Sequence, residues 1–519
     1  PEHMWITPEH MWITPEHMWI TPEHMWITPE HMWTPPNTCG RGTENGRLVY
    51  NRGSVTQHEV CMSEHRWIFL LVGPLVAAFM FLLLQYFGWA SPACWTGAIT
   101  VLCAIWWIFE PVPIPVTSLL PLALMPLVGV LTPKEVGESY GGPLILLLLG
   151  GFILSTAMAK SGAHLRIALT MVNLFGGSSS KRLVFGFMSA SALLSMWISN
   201  TATTLMLLPV AIAVLEKSED KDLAIPLLLG VAYASSVGGI GTPIGTPPNL
   251  VFREIYTQTT GNSVSFLEWM TWGIPVVLIF LPILGLWLTR SLKFQGAIDM
   301  PEVGIWKIDE RRVFIIFSCT ALAWITREAP FGGWRTWLDL PGANDASVAL
   351  VAVVVMFLVP NGRGGKLLDW ETAERIPWGM LILFGGGLAI AKAFVVSGLS
   401  SALGELLADL ASWPIILMMA ILCLTITFMT EVTSNTATTT LLMPILAAAA
   451  LAAQLDPALL MVPAAMSASC AFMLPVATTP NTIMFSTGRF SIKTMAKEGF
   501  VLNLIGVVVI SLVCFGMLT

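Results

Sequence analysis

The 519-residue sequence has few charged residues: Asp, Glu, Lys and Arg make up 11% of it, whereas 55% is hydrophobic. Soluble domains carry roughly one quarter charged residues. From residue 67 onward the apolar residues instead form blocks that could cross a bilayer about 30 Å thick, which takes about 20 helical residues. This shortage of charge excludes an ordinary soluble domain and favours an all-α polytopic membrane protein.

Motifs typical of metal centres are also missing. No HExxH pattern occurs, and the eight Cys show no CxxC spacing. We expect the six Cys inside the apolar blocks to be buried free thiols rather than disulfide or zinc ligands. The sequence therefore favours a non-enzyme with no organic cofactor and no nucleic-acid partner.

The first 34 residues are five copies of the heptapeptide PEHMWIT, the last without its Ile. Pro recurs in every copy and excludes a coiled coil, because an interior Pro costs a helix about 3 kcal/mol. We interpret residues 1–66 as a low-complexity, disordered extension, with a His and Met tail that binds metal as the alternative. The copies hold five Glu and no Lys or Arg, so the net charge of −6 becomes −1 without them.

Two apolar blocks, 183–215 and 413–453, are too long for one span and carry polar residues at their centres. Block 183–215 would be about 50 Å long as a single helix. We predict that each block folds into a re-entrant hairpin, so that both of its ends lie on one side of the membrane. About eleven transmembrane helices then remain.

With the N-terminus in the cytoplasm, the predicted cytoplasmic loops hold seventeen Lys and Arg and the outer side holds five. This bias agrees with the positive-inside rule. The predicted regions are N-terminal membrane helices 67–112, a first repeat 113–290, a cytoplasmic linker 291–312 and a second repeat 313–519.

The two predicted hairpins share a sequence. SNTATT occurs at 199–204 and again at 434–439, and Pro209 and Pro444 follow at equal distances. Downstream, GTPPN at 245–249 corresponds to ATTPN at 477–481. We interpret these as two copies of one unit. In the predicted topology the copies have opposite orientations, which is the inverted-repeat plan of secondary transporters, with sites built from broken helices.

The chemistry of these segments suits ions. After each Asn-Thr a half-helix begins, and its free N–H groups can hold an anion without Lys or Arg. Before each Ser-Asn a half-helix ends, and its free carbonyls, with Ser, Thr and Asn oxygens, could form a cage for a small hard cation such as Na⁺. Bound cations would then help to hold an anionic substrate.

The paired SNT motifs, the TPPN and TTPN breaks and the plan of eleven spans with two hairpins resemble the divalent anion/sodium symporter family, of the bacterial INDY type, over residues 67–519. The resemblance implies sodium-coupled symport of a C4-dicarboxylate such as succinate, malate or fumarate across the plasma or inner membrane. It further implies a homodimer in which a transport domain moves against a scaffold domain as an elevator.

The resemblance also implies site residues. One sodium site would use Ser195, Ser199, Asn200 and the Gly245 backbone, and the other Thr430, Thr433, Asn435 and the Ala477 backbone. The substrate carboxylates would meet Asn200, Thr201, Asn435 and Thr436, with Thr478 and Thr479 nearby. Family members often have Pro where Thr479 stands, a difference that bears on selectivity.

Other functions stay open at this point. The alternatives are a related carrier of citrate, other tricarboxylates or sulfate, a proton-coupled anion exchanger that uses Glu431, and an anion channel. Glu431 is an intramembrane carboxylate and so a functional candidate, although a structural partnership is the competing interpretation.

Overall fold

The structure is a computed structural model that describes residues 66–175, 179–293, 304–329, 331–400, 402 and 413–519. The predicted extension 1–66 lies outside the described residues except for Arg66, where the first helix begins. Apart from one isolated bridge between Pro360 and Lys366, the regular structure within these ranges is helical. The all-α prediction is therefore confirmed.

Apolar helices with short connections follow one another along the chain. In the first half they are α1 Arg66–Tyr86, α2 Ser91–Phe109, α3 Ile114–Thr117, α4 Leu119–Leu127, α5 Pro133–Gly141, α6 Pro143–Ser161, α7 Ala163–Phe175, α8 Ser180–Ser195, α9 Asn200–Lys217, α10 Ala224–Gly239, α11 Pro247–Thr260 and α12 Phe266–Leu288. In the second half they are α13 Ile308–Ile325, α14 Gly333–Trp337, α15 Asp345–Leu358, α16 Trp370–Ala373, α17 Trp378–Val396, α18 Ile415–Met429, α19 Asn435–Ala452, α20 Ala458–Ala468, a 3₁₀ turn Pro475–Ala477, α21 Thr479–Phe485 and α22 Ile492–Leu518.

Seven helical stretches in the described ranges are long and apolar enough to cross a membrane, one of them formed by α5 and α6 together. Shorter apolar helices such as α10, α15, α18 and α20 lie between them. The long blocks 183–215 and 413–453 are each interrupted at the polar centre, between α8 and α9 and between α18 and α19. Eleven crossings, the re-entrant course of the two pairs and the side of each loop stay predictions.

The structure differs from the sequence prediction at two places near the start of the membrane region. The apolar run 113–131, which the sequence predicts as one continuous block, is broken at Ser118, whose hydroxyl accepts a hydrogen bond from Trp107 Nε1 at 3.0 Å. Helix α5 was not predicted, although Thr132 and Glu135 form a capping box that starts it. A polar helix of this kind has no hydrophobic pattern that would predict it, so the capping residues are its main signature in the sequence.

The helices pack in two groups that alternate along the chain. In the first group, α1–α6 pack together with α13–α17; in the second, α8–α12 pack together with α18–α22. The groups meet along α17, which contacts α11 and α19, and also where α2 contacts α19 and α12 contacts α13. Helix α7 packs on α8 and is also tied to α13, because Arg166 Nε lies 2.6 Å from Glu310 Oε2. Two non-contiguous parts of the chain therefore build each group.

The interior of the second group is formed by α10 and α20, which are buried along almost their whole length. Close packing of α10 requires glycine at position 238, since a Cβ there would lie 2.3 Å from the Ala192 carbonyl oxygen of α8. Each of these two central helices is followed by one of the breaks that the GTPPN and ATTPN motifs mark in the sequence.

The cysteine prediction is confirmed at five positions and wrong at one. All six Cys in the described ranges are free thiols, and Cys94, Cys103, Cys423, Cys470 and Cys514 are buried. Cys319 is exposed on α13. Position within an apolar helix does not distinguish a side chain that faces the protein core from one that faces lipid.

Candidate functional site

The first long block turns at residues 196–199, which we call the first tip. Ser199 caps α9 there: its hydroxyl accepts a hydrogen bond from the Ala202 N–H at 3.2 Å, the role in which Ser is favoured. Ser195, the last residue of α8, donates its hydroxyl to Asn200 Oδ1 at 2.5 Å. The carbonyl end of α8 and the N–H end of α9 therefore meet beside two polar side-chain oxygens.

The first break separates α10 from α11 and comprises residues 239–249. Asn249 Nδ2 donates to the carbonyl oxygens of Gly239, at 2.9 Å, and Thr242, at 2.8 Å. The Thr242 hydroxyl donates to the Met196 carbonyl oxygen of the first tip. Asn249 thus folds the break back on itself, and Thr242 fastens it to the tip.

The first tip and first break enclose a small space around Gly239. A Cβ at this position would lie 2.9 Å from Asn200 Oδ1 and 3.1 Å from the Gly245 carbonyl oxygen. Since the Ser195 hydroxyl is bonded to Asn200, three of the groups predicted for one sodium site lie together. The fourth, Ser199, is exposed and uses its hydroxyl as the helix cap.

The second tip, residues 430–434 between α18 and α19, has the same cap but different side-chain bonds. Ser434 accepts from the Ala437 N–H at 3.4 Å, as Ser199 does in the first tip. Thr430, however, donates its hydroxyl to the Thr427 carbonyl oxygen at 3.1 Å. Asn435 Oδ1 is consequently a buried oxygen without a hydrogen-bond partner in the described structure. A buried acceptor left open in this way is suited to a cation.

Thr433, which was also predicted for the second site, directs its side chain to its own tip. Its hydroxyl donates to the Met429 carbonyl oxygen at 2.8 Å and lies 2.7 Å from Thr438 Oγ1. Only its carbonyl is left for an ion. In the first tip Ile198 takes this place, and the Thr203 hydroxyl is buried without a partner in the described residues.

The second break, residues 471–481, repeats the bonds of the first. Asn481 Nδ2 donates to the carbonyl oxygens of Ala471 and Leu474, both at 3.0 Å. Each of these three residues lies 232 positions after its counterpart in the first break. The sequence motifs contained Asn249 and Asn481, but they were not assigned to the site. Their equal place in the paired motifs was the signal that could have found them.

Glu431 connects the second tip to the second break. Its carboxylate accepts hydrogen bonds from the backbone N–H groups of Phe472, Met473 and Leu474 at 2.7–3.1 Å. Asn503 Nδ2 of α22 donates to it at 2.7 Å. The contacts favour the structural interpretation, because the carboxylate satisfies N–H groups that the helix break exposes. It has the connecting function that the Thr242 hydroxyl has in the first half.

The second half of each broken helix packs on the other copy. Helix α11 contacts α19 and α20, and α21 contacts α9 and α10. Two buried hydrogen bonds join the breaks to the opposite copy: Ser469 Oγ to Thr246 Oγ1 at 3.3 Å, and the Tyr233 hydroxyl to the Phe472 carbonyl oxygen at 2.7 Å. This exchange brings both breaks, with their tips, to one region between the copies.

Four Thr residues were predicted to contact substrate. Thr201 is half-buried and Thr436 is buried, both in the first turn of their helices. Thr478 caps α21 by accepting from the Asn481 N–H at 3.3 Å, and Thr479 is exposed. No hydrogen bond described for these side chains joins the first copy to the second, so their role as ligands stays a prediction.

The electrostatics of the region come from dipoles rather than charges. Neither tip nor break contains Lys, Arg or His, and Glu431 is the one acidic residue of the four segments. No cluster of three His, Cys, Asp or Glu that could hold a metal occurs in the described ranges. Helices α9, α11 and α19 begin here, with the positive ends of their dipoles at the site. The arrangement suits a weakly bound hard cation beside an anion.

Known proteins are similar to this chain in sequence and in fold. A family model described as citrate transporter matches residues 104–462. The sodium-dependent dicarboxylate transporters SdcS of Staphylococcus aureus strains NCTC 8325 and COL are 41% identical over 474 residues, which cover 86% of this chain and 90% of each relative. The YdaH transporter of Alcanivorax borkumensis superposes with a TM-score of 0.52 at 15% identity, over 75% of this chain and 88% of that one. The chain therefore belongs to the citrate transporter family, of the divalent anion/sodium symporter type, and is a multi-pass membrane transporter rather than an enzyme.

Proposed function

We propose that this protein is a secondary active transporter that carries C4-dicarboxylates together with Na⁺. The observation that supports this most strongly is the oxygen-lined space at Gly239, where Asn200 Oδ1 and the Gly245 carbonyl oxygen face one point. The open Asn435 Oδ1 offers a second cation ligand in the other copy. Relatives with 41% identity are named sodium-dependent dicarboxylate transporters.

The coupling follows from the lack of basic residues. Two carboxylates that leave water lose their hydration, and helix N–H groups and hydroxyls replace only part of it. Na⁺ held at the tips supplies the missing positive charge, and it also holds each tip against its break. The anion therefore binds well only after the cations, so that the sodium gradient drives its uptake.

The movement in this proposal is that of the second helix group against the first. The second group contains both tips and both breaks, so the whole site travels with it as an elevator. The first group would act as the scaffold and as the contact surface of a homodimer. The exposed apolar side chains of α1, such as Leu75 and Phe79, suit a lipid or subunit boundary.

The test is uptake of labelled succinate by the purified protein in liposomes. We expect accumulation with an inward Na⁺ gradient and none with K⁺ or a pH gradient alone. Accumulation driven by the pH gradient would indicate the proton-coupled exchanger instead. Flux that does not saturate and proceeds at channel rates would contradict carrier transport altogether.

A second candidate substrate is citrate, because the matching family model is that of a citrate transporter. Competition by succinate, malate, citrate and sulfate against Na⁺-driven succinate uptake would rank the substrates. We expect succinate and malate to compete most strongly. Stronger inhibition by citrate, with labelled citrate itself accumulated, would replace the dicarboxylate assignment.

Gly239→Ala tests the first cation space directly. The new methyl group would occupy the point between Asn200 Oδ1 and the Gly245 carbonyl oxygen, where the closest atom is the end of a side chain that can move. We expect the Na⁺ concentration for half-maximal uptake to rise about tenfold, which corresponds to about 1.4 kcal/mol. Gly151→Ala on α6 is the matched control, since a Cβ there meets no atom within 4 Å. An unchanged Na⁺ dependence of Gly239→Ala would exclude this space as the ion site.

A further inference from the structure

The first tip is covered by the first helix group through an aromatic cluster. Trp197 of the tip stacks on Phe266 of α12, with ring centroids 6.1 Å apart, and meets Phe317 of α13 edge-on at 6.0 Å. Phe266 stacks in turn on Trp324 of α13 at 5.2 Å. Since α13 belongs to the first group and the tip and α12 to the second, these rings form a contact between the groups.

An ion pair joins the two groups beside this cluster. Arg253 of α11 places Nη2 2.8 Å from Asp345 Oδ2 of α15 and donates from Nε to the Val264 carbonyl oxygen. Arg327 binds the other carboxylate oxygen at 2.8 Å. Trp324 Nε1 donates to the Asp345 carbonyl oxygen at 2.9 Å, which links the ion pair to the rings. The charged side chains are largely buried, with 6% of that of Asp345 exposed.

Two other ion pairs each lie within one group. Arg290 and Glu498 both belong to the second group, and their closest atoms are 2.7 Å apart. Arg363 and Asp309 both lie within the first group's part of the chain, also at 2.7 Å. Pairs of this kind would move as a unit with their group. The Arg253–Asp345 pair would instead have to break if the groups moved relative to each other.

The second tip lacks the equivalent cover. Val432, at the position that Trp197 has in the first tip, is 68% exposed, and Val476 of the second break is 75% exposed. The equivalent of Val476 in the first break, Ile244, is partly buried. The two copies therefore differ in that only the first tip is held against the opposite group by the residues described here.

We propose that Trp197, Phe266, Phe317 and Trp324, together with the Arg253–Asp345 ion pair, form a latch that holds the second helix group in the described position and opens during transport. The proposal rests on the proposed function, because only a carrier needs this movement. Opening would leave Asp345 paired with Arg327 and Arg253 bonded to the Val264 carbonyl oxygen, so each side chain would keep a hydrogen-bond partner.

Distance measurements between the groups test the latch. Spin labels on Asn262→Cys, in the exposed loop after α11, and Asp339→Cys, in the exposed loop before α15, report the separation of the two groups. The distances would be measured by pulsed electron–electron double resonance on the full chain in lipid nanodiscs. Cys39, Cys61 and Cys319 would be replaced by Ser. We expect Arg253→Met and Asp345→Asn each to shift the ratio of the two distance populations about tenfold away from the described position. Trp197→Ala should shift it in the same direction.

Arg290→Met is the matched control, because its ion pair lies within one group, and it should leave the distances unchanged. Monodisperse elution in size-exclusion chromatography identifies variants that fold. Unchanged distances in folded Arg253→Met and Asp345→Asn would overturn the latch, and so would a shift in only one of the two. This readout needs no substrate or uptake. Absence of Na⁺-driven uptake by the wild type would contradict the proposed function separately.

Discussion

Single replacement of Asn200 or Asn435 by Ala should abolish sodium-dependent uptake while the protein still folds. Both side chains stand at the start of a helix that begins beside a cation space, α9 or α19. Asn435 Oδ1 has no hydrogen-bond partner in the described structure, so its removal leaves no donor unpaired. Loss of Asn200 Oδ1 frees the Ser195 hydroxyl, which can rotate to a helix carbonyl as Thr430 does.

Sodium-dependent thermal stability separates a binding defect from a folding defect. A ligand that binds only the folded protein raises its melting temperature with concentration. We expect Na⁺ to raise the melting temperature of the wild type and of the control Asn262→Ala, whose residue lies in an exposed loop. Asn435→Ala should melt at the temperature of the sodium-free wild type and respond to Na⁺ at least about tenfold more weakly. Uptake at the wild-type rate by one of these variants would remove that Asn from the site.

Glu431→Ala should be the most destabilising of the substitutions considered for this site. The change strands the backbone N–H groups of Phe472, Met473 and Leu474, three donors that now bind the carboxylate in a buried position. Each unsatisfied donor costs about 1–3 kcal/mol, which together is a large fraction of a protein's stability. We expect a large loss of folded protein in size-exclusion chromatography and no uptake.

Glu431→Gln distinguishes the structural role from proton transfer. Gln keeps one acceptor oxygen but turns an NH₂ group toward N–H donors, so we expect a stability between those of the wild type and Glu431→Ala. If Glu431 carries protons, the Gln variant, which cannot titrate, should lose all coupling. If Glu431 instead fixes the break, the variant should keep residual Na⁺-driven uptake with the wild-type pH profile. The four donors described around the carboxylate offer no acceptor for an acid proton, which favours the second outcome. A stable Glu431→Gln variant whose uptake has an altered pH dependence would instead support the proton-coupled exchanger.

Asp345 and Glu431 illustrate which parts of the site the sequence could reveal. Both are acidic residues in or beside apolar segments. The sequence analysis singled out Glu431 without naming its partners, and it did not single out Asp345. Asp345 binds Arg253, which lies 92 positions away, and Glu431 binds backbone groups more than 40 positions away. Backbone donors in particular have no signature in the sequence, because every residue except Pro carries one.

The sequence by itself determined that the chain is helical, where the two long apolar blocks are interrupted and that the interruptions occur in matched pairs. These are local properties: polar residues in an apolar run cannot stay unpaired in a membrane, and Ser followed by Asn caps the next helix. Only the tertiary structure decided which atoms meet, namely Asn200 with Gly239 and Gly245, Glu431 with the second break, and Trp197 with α13. These contacts join distant segments, and their choice depends on how two helix groups pack, which no local pattern encodes.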